Sequence, residues 1–329
     1  MDHEDRQDDS WNKYWEHGFL TSCSNAFAGN YEGTLRDCWL SFFGRLSRGS
    51  RVLDLCTGNG AIAMIANEVS REKGMELEIH GIDSAAIRPH ETVSRGRELL
   101  DGIRFHGGVA AESTGFEDQY FQAIAGQYAL EYTDVDACAA EMARIAAPGA
   151  VLQFIVHHDR SIVMKTSQEE IRNAALLFEE TLLFDRARAV IERVGLARTP
   201  AARRALKYDP EAEAAREALN RAAARVSEAS EASPHPQFLQ MAMKNVAEAY
   251  RRCCSEGVDA GLAVLEEGRG TILANLERLE DLMAAGRNEA QMAEITAAFA
   301  RHGLSSEAPA IVRHDDGPLM GWILSARRS

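Results

Sequence analysis

The sequence predicts an α/β protein built on a doubly wound, mostly parallel sheet, and three observations predict it. An apolar strand, Val52 to Leu55, runs into a glycine-containing turn that opens a helix at Ala61. A second short strand ends on Asp83, 23 residues past Gly60. Strand-like and helix-like segments then alternate along the chain. Such alternation is typical of parallel strands that are joined by helices.

The turn after the first strand predicts a nucleoside site. Residues 54–60 read Asp-Leu-Cys-Thr-Gly-Asn-Gly, and glycines let a ligand approach the backbone closely. Asp83, at the tip of the second strand, can accept both hydroxyls of a ribose. A pyrophosphate is less suitable, because no Lys or Arg lies between Leu53 and Ser70 and the dinucleotide pattern G-x-G-x-x-G is missing. An acid at the turn favours a cationic ligand.

The order Asp54-x-Cys56-x-Gly58-x-Gly60 resembles motif I of the class I, Rossmann-like S-adenosylmethionine-dependent methyltransferases, whose usual form is D/E-x-G-x-G-x-G. Cys56 stands where the first glycine is usual, a substitution that is tolerable if the position keeps a negative φ. The resemblance implies S-adenosyl-L-methionine as cofactor and S-adenosyl-L-homocysteine as product. It also implies that Asp54 orients the amino acid part of the donor and that Asp83 holds its ribose.

The next strands extend the resemblance in register. A third strand, Ile103 to His106, leads to a loop that usually contacts the adenine, and a fourth, Phe121 to Gly126, ends near the transferable methyl group. Besides Asp54 and Asp83, the resemblance implies a cofactor site formed by Cys56, Gly58, Gly60, Ser84, Ala110, Ala111, Glu112, Gln127 and Tyr128.

A helix (134–146), a Pro-Gly turn and a fifth strand, Ala150 to His157, follow. His157 and His158 end this strand, facing the expected acceptor position. Histidine titrates near neutral pH, so both are candidates for a catalytic general base; the alternative is a structural role at the start of the next segment. No metal ligand set is expected, since the six cysteines show no C-x-x-C pair or ligand spacing.

Changes in composition along the chain predict three parts. Residues 1–45 are rich in aromatic side chains and form an N-terminal helical cap, from which Tyr14 and Tyr31 are candidate cofactor contacts. Residues 46–160 and 304–329 form the core, whose terminal hairpin supplies strands six and seven of a seven-stranded sheet. Residues 161–303 form a large helical insertion between strands five and six, with about five helices, starting near residues 167, 209, 238, 258 and 288. The insertion is either a substrate lid or a homodimer surface.

Composition narrows the choice of partners. The formal net charge of −14 argues against nucleic acid, because phosphate contacts need a basic face. No apolar run of 18 residues exists, so no membrane span is expected. Residues 1–9 are charged and do not read as a secretory signal. These features predict a reduced, cytoplasmic protein.

The expected function is methyl transfer to a small molecule. Oxygen or sulfur is the preferred acceptor atom, because no N-P-P-Y/F or D-P-P-Y motif follows the fourth strand. One alternative is a methyltransferase for a protein or carrier-bound substrate that docks on the insertion. A second is a nicotinamide oxidoreductase, and a third is a non-catalytic module that binds the donor or its product.

Overall fold

The computed structural model describes residues 11–22, 29–197, 199–315 and 317–329. The charged segment 1–9 and Cys23 therefore lie outside the described residues. The chain divides into two compact units, one of Met1–Met164 with Leu282–Ser329 and one of Lys165–Asp281. The boundaries expected from the sequence, at residues 45, 160 and 303, stay a prediction, as do the roles assigned to the three parts.

Strands and helices alternate through the first unit, and helices make up the second. The strands are β1 (Arg51–Leu55), β2 (Glu78–Asp83), β3 (Ile103–Gly107), β4 (Phe121–Gln127), β5 (Ala146–His157), β6 (Leu304–Ser306), β7 (Ala310–Arg313) and β8 (Leu319–Arg328). The helices are α1 (residues 11–16), α2 (Gly33–Phe43), α3 (Ala61–Lys73), α4 (Pro89–Thr92), α5 (Val135–Ile145), α6 (Ile162–Ala175), α7 (Leu183–Leu196), α8 (Pro200–Ala205), α9 (Pro210–Ala232), α10 (Gln237–Glu256), α11 (Val258–Ala285) and α12 (Glu289–Arg301).

The first unit contains one sheet with the order β3-β2-β1-β4-β5-β8-β6. The five strands β1 to β5 are parallel to one another, whereas β8 pairs antiparallel with β5. In β1, Asp54 lies opposite Gly81 of β2 and Ala125 of β4. The carboxyl ends of β1, β2 and β4 therefore meet at one edge of the sheet, as a doubly wound fold requires for a ligand site.

The number of strands differs from the prediction of seven. The described residues contain eight, because both β6 and β7 pair with β8. β6 pairs with the end of β8 at Arg328, and β7 pairs with its beginning at Leu319. Pro309 lies between them and has no N–H to give to a ladder, which explains why the edge strand is interrupted.

Apolar clusters pack on both faces of the sheet. Val52 belongs to the cluster that holds Trp39 and Phe43 of α2 and most of α3. Leu53 belongs to the other cluster, with Met142 of α5 and Phe299 of α12. Neighbouring residues of a strand point to opposite faces. Alternate side chains of β1 therefore pack against the helices on each face of the sheet.

The second unit is helical around its own apolar cluster. Two of its helices, α7 and α8, are not among those expected from the sequence. A π-helical turn (Leu176–Glu180) and a left-handed Leu182, with φ of 48°, separate α6 from α7. Apolar residues keep their helical spacing through this break, and Leu is not a residue type that predicts a left-handed backbone. The sequence pattern is therefore that of one continuous helix. No helix within the described ranges is long and apolar enough to cross a membrane.

Candidate active site

A cavity of about 610 Å³ lies at the carboxyl ends of β1, β2 and β4. Its volume falls within the range of small-molecule sites, roughly 300–1,000 Å³. Most of the predicted cofactor residues line it, namely Asp54, Cys56, Asp83, Ser84, Ala110, Ala111, Glu112, Gln127, Tyr128 and Tyr31. Residues that the sequence does not predict as site residues also line it, namely Trp11, Trp15, Leu20, Thr21, Ser22, Thr57, Ala61, Ile62, Tyr132, Thr133, Asp134 and Ala137.

The turn after β1 has a left-handed backbone at three positions: Cys56, Gly58 and Gly60 have φ of 50°, 51° and 88°. The condition set for a cysteine at this position, a negative φ, is therefore not met. The first motif position keeps the conformation that glycine would adopt freely, although a side chain is present. The left-handed region costs an L-residue roughly 1–2 kcal/mol, so the turn is strained at Cys56.

The two glycines of this turn are required by close packing. A Cβ at Gly60 would lie 2.7 Å from Cζ of Phe105, and one at Gly58 would overlap the indole of Trp15. Asn59 ties the same regions together, since its Nδ2 donates to the carbonyl oxygen of Trp15 at 2.9 Å. Gly58 and Gly60 thus serve packing against β3 and α1, and neither is among the residues that line the cavity.

Asp83 is buried at the end of β2 and is held by the turn. Its Oδ2 accepts the N–H of Gly58 at 2.8 Å, and its Oδ1 accepts the N–H of Ala85 at 3.0 Å. A carboxylate offers about four acceptor sites, and these two bonds orient the group. The geometry suits a residue that also accepts the hydroxyls of a ribose.

Asp54 is buried beside the same turn. Its Oδ2 accepts from the hydroxyl of Thr57 and from the N–H of Ala63, the latter at 3.1 Å. Burial raises the pKa of Asp54 to about 7, and the negative charge of Asp83 adds to the rise. A cation in the cavity would favour the ionised form, because an opposite charge at close range stabilises a carboxylate.

Glu112 connects the loop after β3 to the start of α5. Its Oε1 accepts the N–H of Asp134 at 2.8 Å. The side chain of Asp134 in turn caps α5, accepting from the N–H groups of Asp136 and Ala137. Glu112 therefore has a structural partner besides the adenine that the resemblance implies, and it brings a second carboxylate, Asp134, to the cavity.

Gln127 ends β4 with a fixed amide. The indole N–H of Trp39 donates to Oε1 of Gln127 at 2.6 Å. The amide nitrogen, Nε2, is the donor of the same side chain. Nε2 is buried and has no hydrogen-bond partner within the described residues. A buried donor without a partner costs about 1–3 kcal/mol, so this atom suits a ligand that accepts a hydrogen bond.

Tyr128 follows in a left-handed conformation, with φ of 55°. Its N–H donates to the carbonyl oxygen of Ile155, and its hydroxyl donates to that of Met320 at 3.2 Å. Tyr31 lies edge-on to Tyr128, with ring centroids 6.4 Å apart. Tyr14, the other aromatic predicted from the cap, does not line the cavity; its hydroxyl donates to the carbonyl oxygen of Thr21.

Neither His157 nor His158 is among the described residues that line the cavity. The imidazole of His157 is fully buried behind Tyr128, and that of His158 stacks on Trp322 at 4.5 Å. His158 is also 2.7 Å from Asp159 through Nδ1, yet burial lowers its pKa. Their role as general base stays a prediction, and their placement away from the cavity gives it no support.

The charges around the cavity have one sign. Four carboxylates line it, those of Asp54, Asp83, Glu112 and Asp134, and the lining residues that the structure describes include no Lys, Arg or His. A phosphate or carboxylate ligand would have only neutral donors to bind and would meet like charges. The cavity is therefore suited to a ligand with positive charge.

No family model matches the sequence, and no curated protein matches it. Solved structures do match part of it. YcgJ from Bacillus subtilis is 21% identical over 43% of this chain and 58% of its own, with a TM-score of 0.31. A SAM-dependent methyltransferase from Methanosarcina mazei is 24% identical over 36% of this chain and 57% of its own, also with a TM-score of 0.31.

A third match is the geranyl diphosphate C-methyltransferase from Streptomyces coelicolor A3(2), which was solved with S-adenosyl-L-homocysteine. It is 15% identical over 37% of this chain and 42% of its own, with a TM-score of 0.31. The chain thus spans about half the length of these solved chains. Proteins of the family that the motifs resemble are among them, and a similarity of this extent says nothing about the substrate of this chain.

Proposed function

We propose that this protein transfers the methyl group of S-adenosyl-L-methionine to a small-molecule acceptor. The observation that carries the proposal is the arrangement of Asp54 and Asp83 on either side of the left-handed turn, in a cavity whose described lining has no cationic side chain. A nucleoside with a cationic tail suits both carboxylates, since its ribose would bind Asp83 and its cationic group would face Asp54. A nicotinamide dinucleotide does not, because its pyrophosphate would lie among carboxylates.

The residues present fit this cofactor in three ways. Asp83, oriented by two N–H groups, would accept the ribose hydroxyls. Asp54 would face the amino group of the donor, and its raised pKa would fall when that cation binds. The buried Nε2 of Gln127 would gain the acceptor that it lacks among the described residues. When bound, the cofactor supplies an electrophilic methyl group on a sulfonium.

The task of the protein in an in-line displacement is to position the two reactants. Holding both in a productive geometry can lower a barrier by several kcal/mol. Tyr128 is well suited to this, since its ring lines the cavity and is fixed by the bond from its hydroxyl to Met320. An aromatic face beside a sulfonium contributes about 0.5–2 kcal/mol of cation–π attraction.

Three further parts of the proposal start from the sequence. We infer that Ala110 and Ala111 border the adenine, because small side chains leave room for a flat ring. We also keep both roles of the helical insertion, substrate lid and homodimer surface, as proposals. The preference for an oxygen or sulfur acceptor depends on missing motifs, which exclude one class of amino-methylating enzymes and leave other amines open.

Isothermal titration calorimetry tests the donor site. We expect the purified chain to bind S-adenosyl-L-homocysteine and S-adenosyl-L-methionine, and to show no heat with NADH at the same concentration. Mass spectrometry of small molecules that co-purify gives an independent readout. Binding of NADH with no binding of either sulfur nucleoside would overturn the proposal. Tight donor binding without methylation of any acceptor in a broad panel would indicate a non-catalytic binding module.

A further inference from the structure

Five aromatic side chains line the cavity in two groups. Trp15 stacks on Trp11 with ring centroids 5.6 Å apart, and Trp11 lies edge-on to Tyr132 at 6.0 Å. Tyr128 and Tyr31 form a second pair, with ring centroids 6.4 Å apart. All five line the cavity. We call this set, Trp11, Trp15, Tyr31, Tyr128 and Tyr132, the aromatic wall.

The rings of the wall are held by groups behind them. The buried imidazole of His157 stacks on Tyr128 at 3.9 Å and lies edge-on to Tyr132 at 6.1 Å. On the other side, the indole of Trp15 lies against Gly58 of the turn. Because partners fix these faces before any ligand arrives, little conformational freedom is lost when a cation settles between them.

The charge of the cavity exceeds what the donor can balance. The donor carries one net positive charge, from its sulfonium, amino and carboxylate groups. Against that single charge, four carboxyl groups line the cavity, those of Asp54, Asp83, Glu112 and Asp134. Aromatic faces with carboxylates are the recognised means of binding ammonium groups. A second cation beside the donor therefore suits the site.

The lining also favours a nucleophile that needs no strong base. A hydroxyl acceptor requires a group with a pKa near the working pH to remove its proton. Neither histidine at the end of β5 reaches the cavity among the described residues, and Asp54, whose pKa is about 7, is assigned to the amino group of the donor. A neutral amine attacks with its own lone pair, so it does not depend on such a group.

We propose that the acceptor is a small amine, in place of the oxygen or sulfur acceptor that the missing motifs favour, bound between the aromatic wall and the carboxylates of the cavity; this rests on the proposed methyl transfer. The ammonium first gives a proton to solvent. The nitrogen lone pair then forms the N–C bond while the S–C bond breaks and its electrons remain on sulfur. Positive charge passes from sulfur to nitrogen, and any remaining N–H proton leaves to water. The cation beside the wall is the sulfonium before the transfer and the newly methylated ammonium after it, until any N–H proton leaves.

Calorimetry on the complex with S-adenosyl-L-homocysteine tests this with a matched pair of probes. Choline and 3,3-dimethylbutan-1-ol have nearly the same shape, and only choline carries a charge. We expect choline to bind at least tenfold more tightly than the alcohol. Equal affinities, or tighter binding of the alcohol, would overturn the amine proposal. Absence of S-adenosyl-L-homocysteine binding in the first titration would instead reject the proposed function itself.

Variants of the wall show whether its rings are the cause. Tyr132→Leu removes one ring face, whereas Tyr132→Phe keeps it and removes only the hydroxyl. We expect the preference for choline to fall at least threefold in Tyr132→Leu and to persist in Tyr132→Phe. Binding of S-adenosyl-L-homocysteine reports that each variant is folded, and Trp11→Leu replaces Tyr132→Leu if that variant fails this check. An undiminished preference in a folded ring-deleted variant would contradict the assignment to the wall.

Discussion

The ring of Tyr128 lies flat on the imidazole of His157, with centroids 3.9 Å apart and planes within 1°. Tyr128 lines the cavity, and His157 is fully buried behind it. This arrangement makes His157 a support for the tyrosine face. A role in proton transfer would require the imidazole to reach the acceptor, which the stacked ring of Tyr128 prevents in this conformation.

A pair of substitutions at His157 separates these two roles. His157→Phe keeps an aromatic ring against Tyr128 and removes the titratable group, so we expect methyl transfer within about threefold of the wild type. His157→Ala removes the stack, which contributes about 0.5–1.5 kcal/mol, and should weaken donor binding several-fold. Steady-state rates and calorimetry measure both. A loss of turnover of about 100-fold in His157→Phe, with donor affinity intact, would show that the histidine is the base after all.

Asp83→Asn should weaken binding of S-adenosyl-L-homocysteine by roughly 10- to 100-fold, because hydrogen bonds to a charged group contribute about 1.5–3 kcal/mol. The amide can still accept from Gly58 or Ala85, so the turn should remain folded. Asp101→Asn is the matched control, since Asp101 is exposed and does not line the cavity. Calorimetry gives both constants. Equal affinity in the two variants would remove Asp83 from the ribose site.

Donor affinity should rise with pH around neutrality. Burial raises the pKa of Asp54 to about 7, so the side chain is mostly neutral at pH 6 and mostly ionised at pH 8. Only the ionised form attracts the amino group of the donor, and affinity should therefore increase up to about tenfold per pH unit below the pKa. Asp54→Asn should bind weakly and without this slope. Titrations at pH 6, 7 and 8 decide the matter, and a flat wild-type profile would contradict the role of Asp54.

Strands β1 to β4, and the meeting of ten predicted residues at one cavity, could be predicted because their signals are local. Alternating apolar residues, a glycine turn and an acid at a strand end each occupy a few neighbouring positions. The third strand, for example, is predicted at Ile103 to His106 and runs over Ile103–Gly107. The sheet edge brings these segments together without further information.

The remaining features depend on long-range packing. Trp11 and Trp15 line the cavity, yet aromatic residues at helical spacing look the same in a simple packed helix. The residue types at Cys56 and Leu182 do not predict their positive φ, because cysteine and leucine ordinarily avoid that region. Tyr128, whose ring covers His157, also has a positive φ, of 55°. Such features emerge only when distant segments meet.

Glu131 should make folding stability depend on pH. It is buried, its Oε1 accepts the N–H of His157, and its Oε2 has no partner within the described residues. Burial raises its pKa to about 7, so the folded state retains a proton that the unfolded state releases near pH 4.5. The resulting stability is complete below that pH and is lost as pH rises through about 7.

Glu131→Gln removes this dependence because the amide is neutral at every pH. At pH 8 the variant should be more stable than the wild type by about 1–3 kcal/mol, since each pKa unit corresponds to about 1.4 kcal/mol. At pH 5 the two should be nearly equal. Urea denaturation at both pH values measures the difference. Arg287 lies close by, since its Nη2 donates to the carbonyl oxygen of Glu131 at 2.6 Å. A variant that is less stable at pH 8 would show that the charge of Arg287 stabilises the carboxylate more than burial destabilises it.

The strain at Cys56 predicts a reversal of the usual order of alanine and glycine. At a position with negative φ, replacing glycine by alanine stabilises a protein by about 0.4–1 kcal/mol, because the unfolded chain becomes less flexible. At Cys56 the folded backbone has φ of 50°, which costs any residue with a Cβ roughly 1–2 kcal/mol. Both Cys56→Ala and Cys56→Gly lose the thiol, so comparing them isolates the backbone. We expect the glycine variant to be the more stable by about 1 kcal/mol in urea denaturation. If alanine proves the more stable, the turn that holds Asp83 is not left-handed at its first position.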